Sequence, residues 1–412
     1  MGNKNRTVKN VLWNTIGSIY YSFCQWLITV VVVHIATFSD AGFLSIAMTT
    51  SSSFSAISLF SMRNYQVSDI NGDYSVHEYF GSRILTSIVA LVACICVSAF
   101  GNTTYMLICI SSFMLIRVAE AIADVLHGQD QKYNRYDYIG ISYILRGTAT
   151  VISFVIALKI TGDMMITLII TAVINLVIAF LWDYLKTNRI ENIRPVIYSN
   201  RVRQLLKSCA PLVVFSFLLS LENLVSKVAL EKILGTEKLG IYSTIATPTL
   251  VVQVFAMVAF NPFLPAFSYN YMSGNIDRFK KDIYKLIGAF VGMYVAVLIG
   301  ATLLGKPVLS LIFGKGILEN YDLFIPIIWV TLLTGTIWVL SAVLIGMREI
   351  FFLLIAISIS FTLCLIIVMS CINKYGMNGA SVAQIIPMAI LCLAIVVKII
   401  MAIIKKEKEI AR

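Results

Sequence analysis

The stretch LIRVAEAIADVLHG, residues 115–128, sets Arg117, Glu120 and Asp124 three and four positions apart, so a helix carries all three on one face. A second stretch, CAPLVVFSFLLSLENLVSKVAL at 209–230, puts Ser216, Ser220, Asn223 and Lys227 on one helical face, with Glu222 and Ser226 beside it. Glu222 and Lys227 stand about 140° apart around such a helix, poor partners for each other, so each must look to another helix. Arg146 lies about two turns into an apolar run, and Asn10, Asn14, Gly17, Tyr21 and Gln25 form an uncharged polar stripe near the start. The chemistry these types offer is recognition of an anion: arginine gives a bidentate fork to phosphate, lysine a point charge.

Other chemistry finds little support. No HExxH, nucleophile elbow or paired CxxC occurs, and His34, His77 and His127 are scattered. The eight cysteines fall in apolar runs, where a free thiol acts as a small hydrophobe. The expectation is therefore no cofactor, no metal site and no enzymatic activity.

The elements that must hold these groups are membrane helices. Of 412 residues, 59% are hydrophobic and 13% charged, far from the composition of soluble domains, and runs near the bilayer-spanning length recur throughout. The reading is an all-α polytopic protein with about twelve spans. They fall near 11–36, 41–62, 81–100, 104–126, 138–160 and 164–184, then 209–230, 239–260, 283–304, 323–347, 350–372 and 377–404. The most polar interval divides them six and six. It gives a first lobe at 1–184, a basic linker at 185–208 and a second lobe at 209–412.

The net charge of +11 reflects topology rather than nucleic-acid binding. Lys4, Arg6 and Lys9, the cluster from Lys186 to Lys207, Arg278 to Lys285, and Lys405 to Arg412 all lie on one side of the predicted spans. By the positive-inside rule that side, with both termini, is cytoplasmic. At an offset of about 198 residues, DAGFLSIAMT pairs with KLGIYSTIAT, placing Gly42 on Gly240 and Ser45 on Ser243. Two like-oriented repeats around a central cavity are the expected architecture.

Five charges, Arg117, Glu120, Arg146, Glu222 and Lys227, facing lipid would cost about 15 kcal/mol at about 3 each. They must face protein or water. Two readings stay open: interhelical ion pairs that fix packing, or groups lining a hydrated cavity, favoured because ionisable residues recur in both halves. The hydroxyl-rich second span fits helix packing. Pro248 and Pro262 should bend or end the eighth span, and the connection at 305–322 reads as an interfacial half-helix.

Several pieces together resemble the bacterial polysaccharide flippases of the O-antigen (Wzx-like) type, in the multidrug/oligosaccharidyl-lipid/polysaccharide exporter superfamily. They are KNVLWNTIGS in the first span, MRNYQVSDINGDYS after the second with Arg63, Gln66 and Asp69, and YGMNGASVA opening the last. Between them lies GQDQKYNRYDYIGISYILRG, with Gln131, Lys132, Arg135, Asp137, Arg146 and Gly147. The resemblance covers essentially the whole chain through short, degenerate motifs. It implies a bacterial inner-membrane flippase with two six-helix lobes, moving polyprenyl pyrophosphate-linked oligosaccharide to the outer leaflet for O-antigen or capsule. It further implies that Arg117, Arg146 and Lys227 hold the pyrophosphate and sugar, with Asn14, Gln25 and Asn223 as further substrate-binding residues of the cavity. Glu120, Asp124 and Glu222 become the ion-coupling candidates, for protons or sodium. Other polysaccharide synthesis proteins are implied partners. The competing readings are a cation-coupled multidrug and toxin exporter, which should favour acidic and aromatic groups over bases, a membrane glycosyltransferase or polymerase, and a structural scaffold.

Overall fold

The computed structural model describes residues 2–69, 72–249, 252 and 264–410, and every element assigned within them is helical. The helices are α1 (Gly2–Ile35), α2 (Phe38–Leu59), α3 (Met62–Ser68), α4 (Val76–Ala99), α5 (Thr104–Lys132), α6 (Tyr136–Thr161) and α7 (Met164–Ile178). A π turn, Ala179–Tyr184, joins α7 to the short α8 (Leu185–Asn188). There follow α9 (Asn200–Leu234), α10 (Thr236–Ala246), α11 (Leu264–Met272), α12 (Ile276–Phe313), α13 (Phe324–Gly346), α14 (Ile350–Tyr375) and α15 (Met377–Ile410). Ten segments among the described residues are long and apolar enough to cross a membrane. They match the expected spans except the second and the eighth. The second is α2, a full-length helix whose serines and threonines dilute its apolar character. The eighth begins as α10 and reaches a 3-10 turn, Thr247–Thr249, that carries Pro248; most of its remainder, with Pro262, lies outside the described residues.

The chain divides into two compact units, Met1–Ser220 and Leu221–Arg412. In the first, α1 packs along α6, α2 against α4 and α5, and α7 against α5 and α6. The α1–α6 seam brings backbones together: a Cβ at Gly17 would lie 2.8 Å from the Gly140 Cα, and one at Gly140 would lie 2.6 Å from the Trp13 carbonyl oxygen. Small residues permit such approach where lipid provides no hydrophobic drive between helices. The stretch expected to link the lobes, 185–208, is built onto this unit. Ile193 and Leu205 are buried with Tyr79 and Leu126, and the Val196 N–H donates to the His77 carbonyl at 3.0 Å. Gly81 makes room, since any Cβ there would meet the Val196 backbone.

Helix starts in this unit are set by local chemistry. Thr37 and Ser75 each close a capping box, with Asp40 and Glu78 at the third helical position, so orphan N–H groups at the starts of α2 and α4 gain partners. The α2–α3 junction turns through Phe60 and Ser61, both left-handed (φ 48° and 51°), which redirects the chain and aims Arg63.

In the second unit α14 packs against α15, and α15 against α13. α10 starts at Thr236, the same offset of about 198 residues from the start of α2 that the sequence repeat indicates. The connection read as a half-helix splits: 305–313 completes the long α12, and Lys315–Leu323 forms 3-10 turns after Gly314.

Candidate functional site

The charged residues of the first unit form a buried network centred on α5. Arg117 donates to Glu120 at 2.7 Å and to the Ser52 hydroxyl of α2 at 3.1 Å, and its guanidinium lies 5.2 Å above the Phe113 ring centre. The Tyr21 hydroxyl of α1 donates to the other Glu120 oxygen and accepts from Gln25 Nε2 at 2.9 Å. Three helices thus meet on one ion pair. It is not sealed: the Arg117 and Glu120 side chains keep 18% and 19% of their surface open.

One turn further along α5, Asp124 is shared by two arginines. Arg83 of α4, fully buried, donates to it at 2.9 Å, while Arg63 approaches only to 3.4 Å. Arg83 also donates to the Ser58 carbonyl at 2.6 Å, which accepts from Thr86 as well at 3.0 Å. That carbonyl is in the last turn of α2, where acceptors lack intrahelical partners and a cation is favoured. Arg63 is held loosely, at 3.3 Å from Gln131 and 3.5 Å from the Tyr143 hydroxyl.

Arg146 of α6 belongs to a third, closed set. Its guanidinium donates to Asp183 at 2.6 Å and to the Ala119 carbonyl at 3.2 Å, and His127 Nε2 lies 3.1 Å from the other Asp183 oxygen. All three side chains are nearly solvent-free. A carboxylate only accepts, so Nε2 carries the proton, leaving buried Nδ1 without a partner.

Residue spacing alone singles out Arg117, Glu120, Asp124, Arg146 and Gln25. Asp183, His127, Arg63 and Arg83 are not reached that way. For Asp183 the π turn is the reason: in a regular helix it would sit about 80° from the buried Asn175, and one accommodated residue brings it onto the same face. The usable signal was Arg146 itself, a mid-span arginine that requires a carboxylate. Asn14 of α1 is half-buried, with no hydrogen bond among the described contacts.

In the second unit Glu222 and Ser226 of α9 are fully buried against α14, while Asn223 is exposed and Lys227 half-buried. Ser226 and Cys364 are 3.8 Å apart, and the Cys364 thiol lies 4.0 Å from the Glu222 carbonyl oxygen. Ser360 faces the Glu222 carboxyl without closing a bond of normal geometry, so both carboxyl oxygens lack partners.

Two compact units, helical throughout the described residues and with ten segments long and apolar enough to cross a membrane, give the chain the fold of solved multidrug exporters and a flippase. The lipid II flippase MurJ in an inward closed conformation aligns over 96% of this chain and 90% of its own, with TM-score 0.69 and 14% identity. An inward-facing multidrug resistance transporter of the MATE family aligns over 97% and 99%, with TM-score 0.65 and 13% identity. Within that fold the chain belongs to the polysaccharide biosynthesis protein family, which matches residues 7–270. It is 30% identical over 349 residues to the capsular polysaccharide biosynthesis protein CapF of Staphylococcus aureus, covering 82% of this chain and 84% of that one.

Proposed function

We propose that this protein moves polyprenyl (pyro)phosphate-linked oligosaccharide from the inner to the outer leaflet of a bacterial cytoplasmic membrane by alternating access, without covalent chemistry. The observation that carries the reading is the charge composition of the first unit's ion-paired set. Arg63, Arg83, Arg117 and Arg146 face Glu120, Asp124 and Asp183, one cation in excess. A cation in excess within that set favours an anionic head group and disfavours the cationic substrates of a drug exporter. The family and the CapF relative supply the polymer context.

Within this reading the partly open members, Arg117 and Arg63, meet the phosphate, with Gln25 and Asn14 toward the sugar. Arg146, sealed by Asp183, positions α6 rather than touching substrate. Asn223 and Lys227 are further substrate-binding candidates in this reading. In this reading both termini are cytoplasmic, which the basic clusters support. Other polysaccharide synthesis proteins are its partners in this reading, as the makers and consumers of its substrate.

The test is a strain lacking the gene, scored for surface polysaccharide and for lipid-linked precursor retained inside. Loss of polymer with trapped precursor, restored by wild type but not by well-expressed Arg117→Ala, is the expected result. Normal polymer in the deletion strain would rule the reading out.

A further inference from the structure

Glu222 is the least compensated charge-bearing group in the second unit. Its residue is 0% exposed, and neither carboxyl oxygen has a hydrogen-bond partner. Among the described residues, those seen against it in the second unit offer no cation. α14 presents Ser360 and the Cys364 thiol; its one charged residue, Lys374, lies about 21 Å along the axis from Ser360. α13 carries no charge, and Lys398 of α15 is held by Glu349 at 3.1 Å. Between Lys238 and Asp277 the sequence has no Asp, Glu, Lys, Arg or His. On α9 itself Lys227 points about 140° away. An ionised carboxylate in such a place costs far more than a neutral carboxylic acid, so the neutral form is the one that fits.

Glu120 and Asp124 are in the opposite position. Each is tied to arginine, so protonating either leaves a buried guanidinium unpaired. A sodium ion at Glu222 would need several oxygen ligands, and the carboxyl, one or two hydroxyls and a thiol supply too few.

We propose that Glu222 is a proton-carrying site: it holds a proton in this conformation, sealed between α9 and α14, and releases it when the transport cycle wets that seam. The coupling part rests on the flippase reading; the protonation part does not. Proton binding then favours the sealed conformation by its differential affinity for the two states.

The first experiment is difference infrared spectroscopy of the full-length protein in lipid nanodiscs at neutral pH, wild type against Glu222→Gln. A protonated-carboxyl C=O band lost in the variant is expected; loss of a carboxylate band instead overturns the site. The second measures flipping of a lipid-linked oligosaccharide in proteoliposomes under an imposed pH gradient. Wild type should be stimulated about fivefold or more, Glu222→Gln not at all, and Glu222→Asp in part. Stimulation retained in Glu222→Gln, or unchanged by replacing the pH gradient with a sodium gradient, overturns the coupling. Absence of flipping by wild type, with the infrared band present, would remove the flippase reading and leave the proton site standing.

Discussion

Arg146 and Asp183 form an ion pair 2.6 Å long that is almost wholly closed to solvent, and it exists because α7 runs into a π turn. The pair joins α6 to the end of α7, and His127 adds α5 through the second carboxylate oxygen. Three helices of the first unit are therefore registered by one aspartate.

Removing one partner of such a pair strands the other. Asp183→Asn should destabilise the protein by about 3–5 kcal/mol, read as a lower thermal unfolding midpoint in detergent. The double replacement Arg146→Met with Asp183→Leu should recover most of that loss. Inserting one alanine after Phe180 should match Asp183→Asn, since the π turn already accommodates one extra residue and a second swings Asp183 by about 100°. An insertion without effect would show that the register of this turn does not set the pair.

The two arginines on Asp124 should separate transport from stability. Arg83 is buried, with strong bonds to Asp124 and the Ser58 carbonyl, so Arg83→Gln should cost about 3 kcal/mol or more and abolish expression-corrected function through misfolding. Arg63 is 20% exposed with contacts of 3.3–3.5 Å, so Arg63→Gln should cost under about 1 kcal/mol yet lower surface polymer. Melting curves beside polymer assays on both variants check this. Equal stability losses would place Arg63 among the structural residues.

The contrast shows how far the sequence carries. Ten of the twelve span positions and the Arg117, Glu120 and Asp124 face follow from hydropathy and a 3.6-residue period, and the structure has them. Arg83 sits in a segment whose apolar character masks a single arginine, and its partner is a helix-end carbonyl that no side-chain pattern reveals. Asp183 escapes because its face depends on a π turn, and Arg63 because two left-handed residues, neither of them glycine, redirect the chain before it. What pattern reading misses are departures from the regular helix, and there the network is assembled.

Asp69, at the end of α3 and outside the spans, makes a pH prediction. Partial burial works against its charge, yet N–H groups of Asp73 and Tyr74 and the Tyr79 hydroxyl hold its carboxyl below the usual range. A depressed carboxylate contributes stability above its unfolded value, lost as pH falls through the folded value. The turn from Asp69 into α4 should therefore resist amide exchange at neutral pH and loosen in acid. Asp69→Asn should exchange faster at neutral pH and lose the acid dependence; an unchanged profile would mean those bonds do not hold the turn.

The α1–α6 seam offers a test without charges. At Gly140 a Cβ would press to 2.6 Å on the Trp13 carbonyl oxygen, a backbone atom that cannot rotate away. At Gly288 of α12, also helical, a Cβ meets nothing within 4 Å. Helix propensity favours alanine equally at both, by about 0.5–1 kcal/mol, so contact decides the sign. Gly288→Ala should be neutral or stabilising, while Gly140→Ala should cost about 1–3 kcal/mol as the helices part, measured as unfolding midpoints under one condition. Because Tyr21 and Gln25 ride on α1, the parted seam should also loosen the Tyr21 bond to Glu120 and reduce polymer output beyond what lost protein explains. A stable, fully active Gly140→Ala protein would mean that the α1–α6 spacing has slack and does not position the Glu120 cluster.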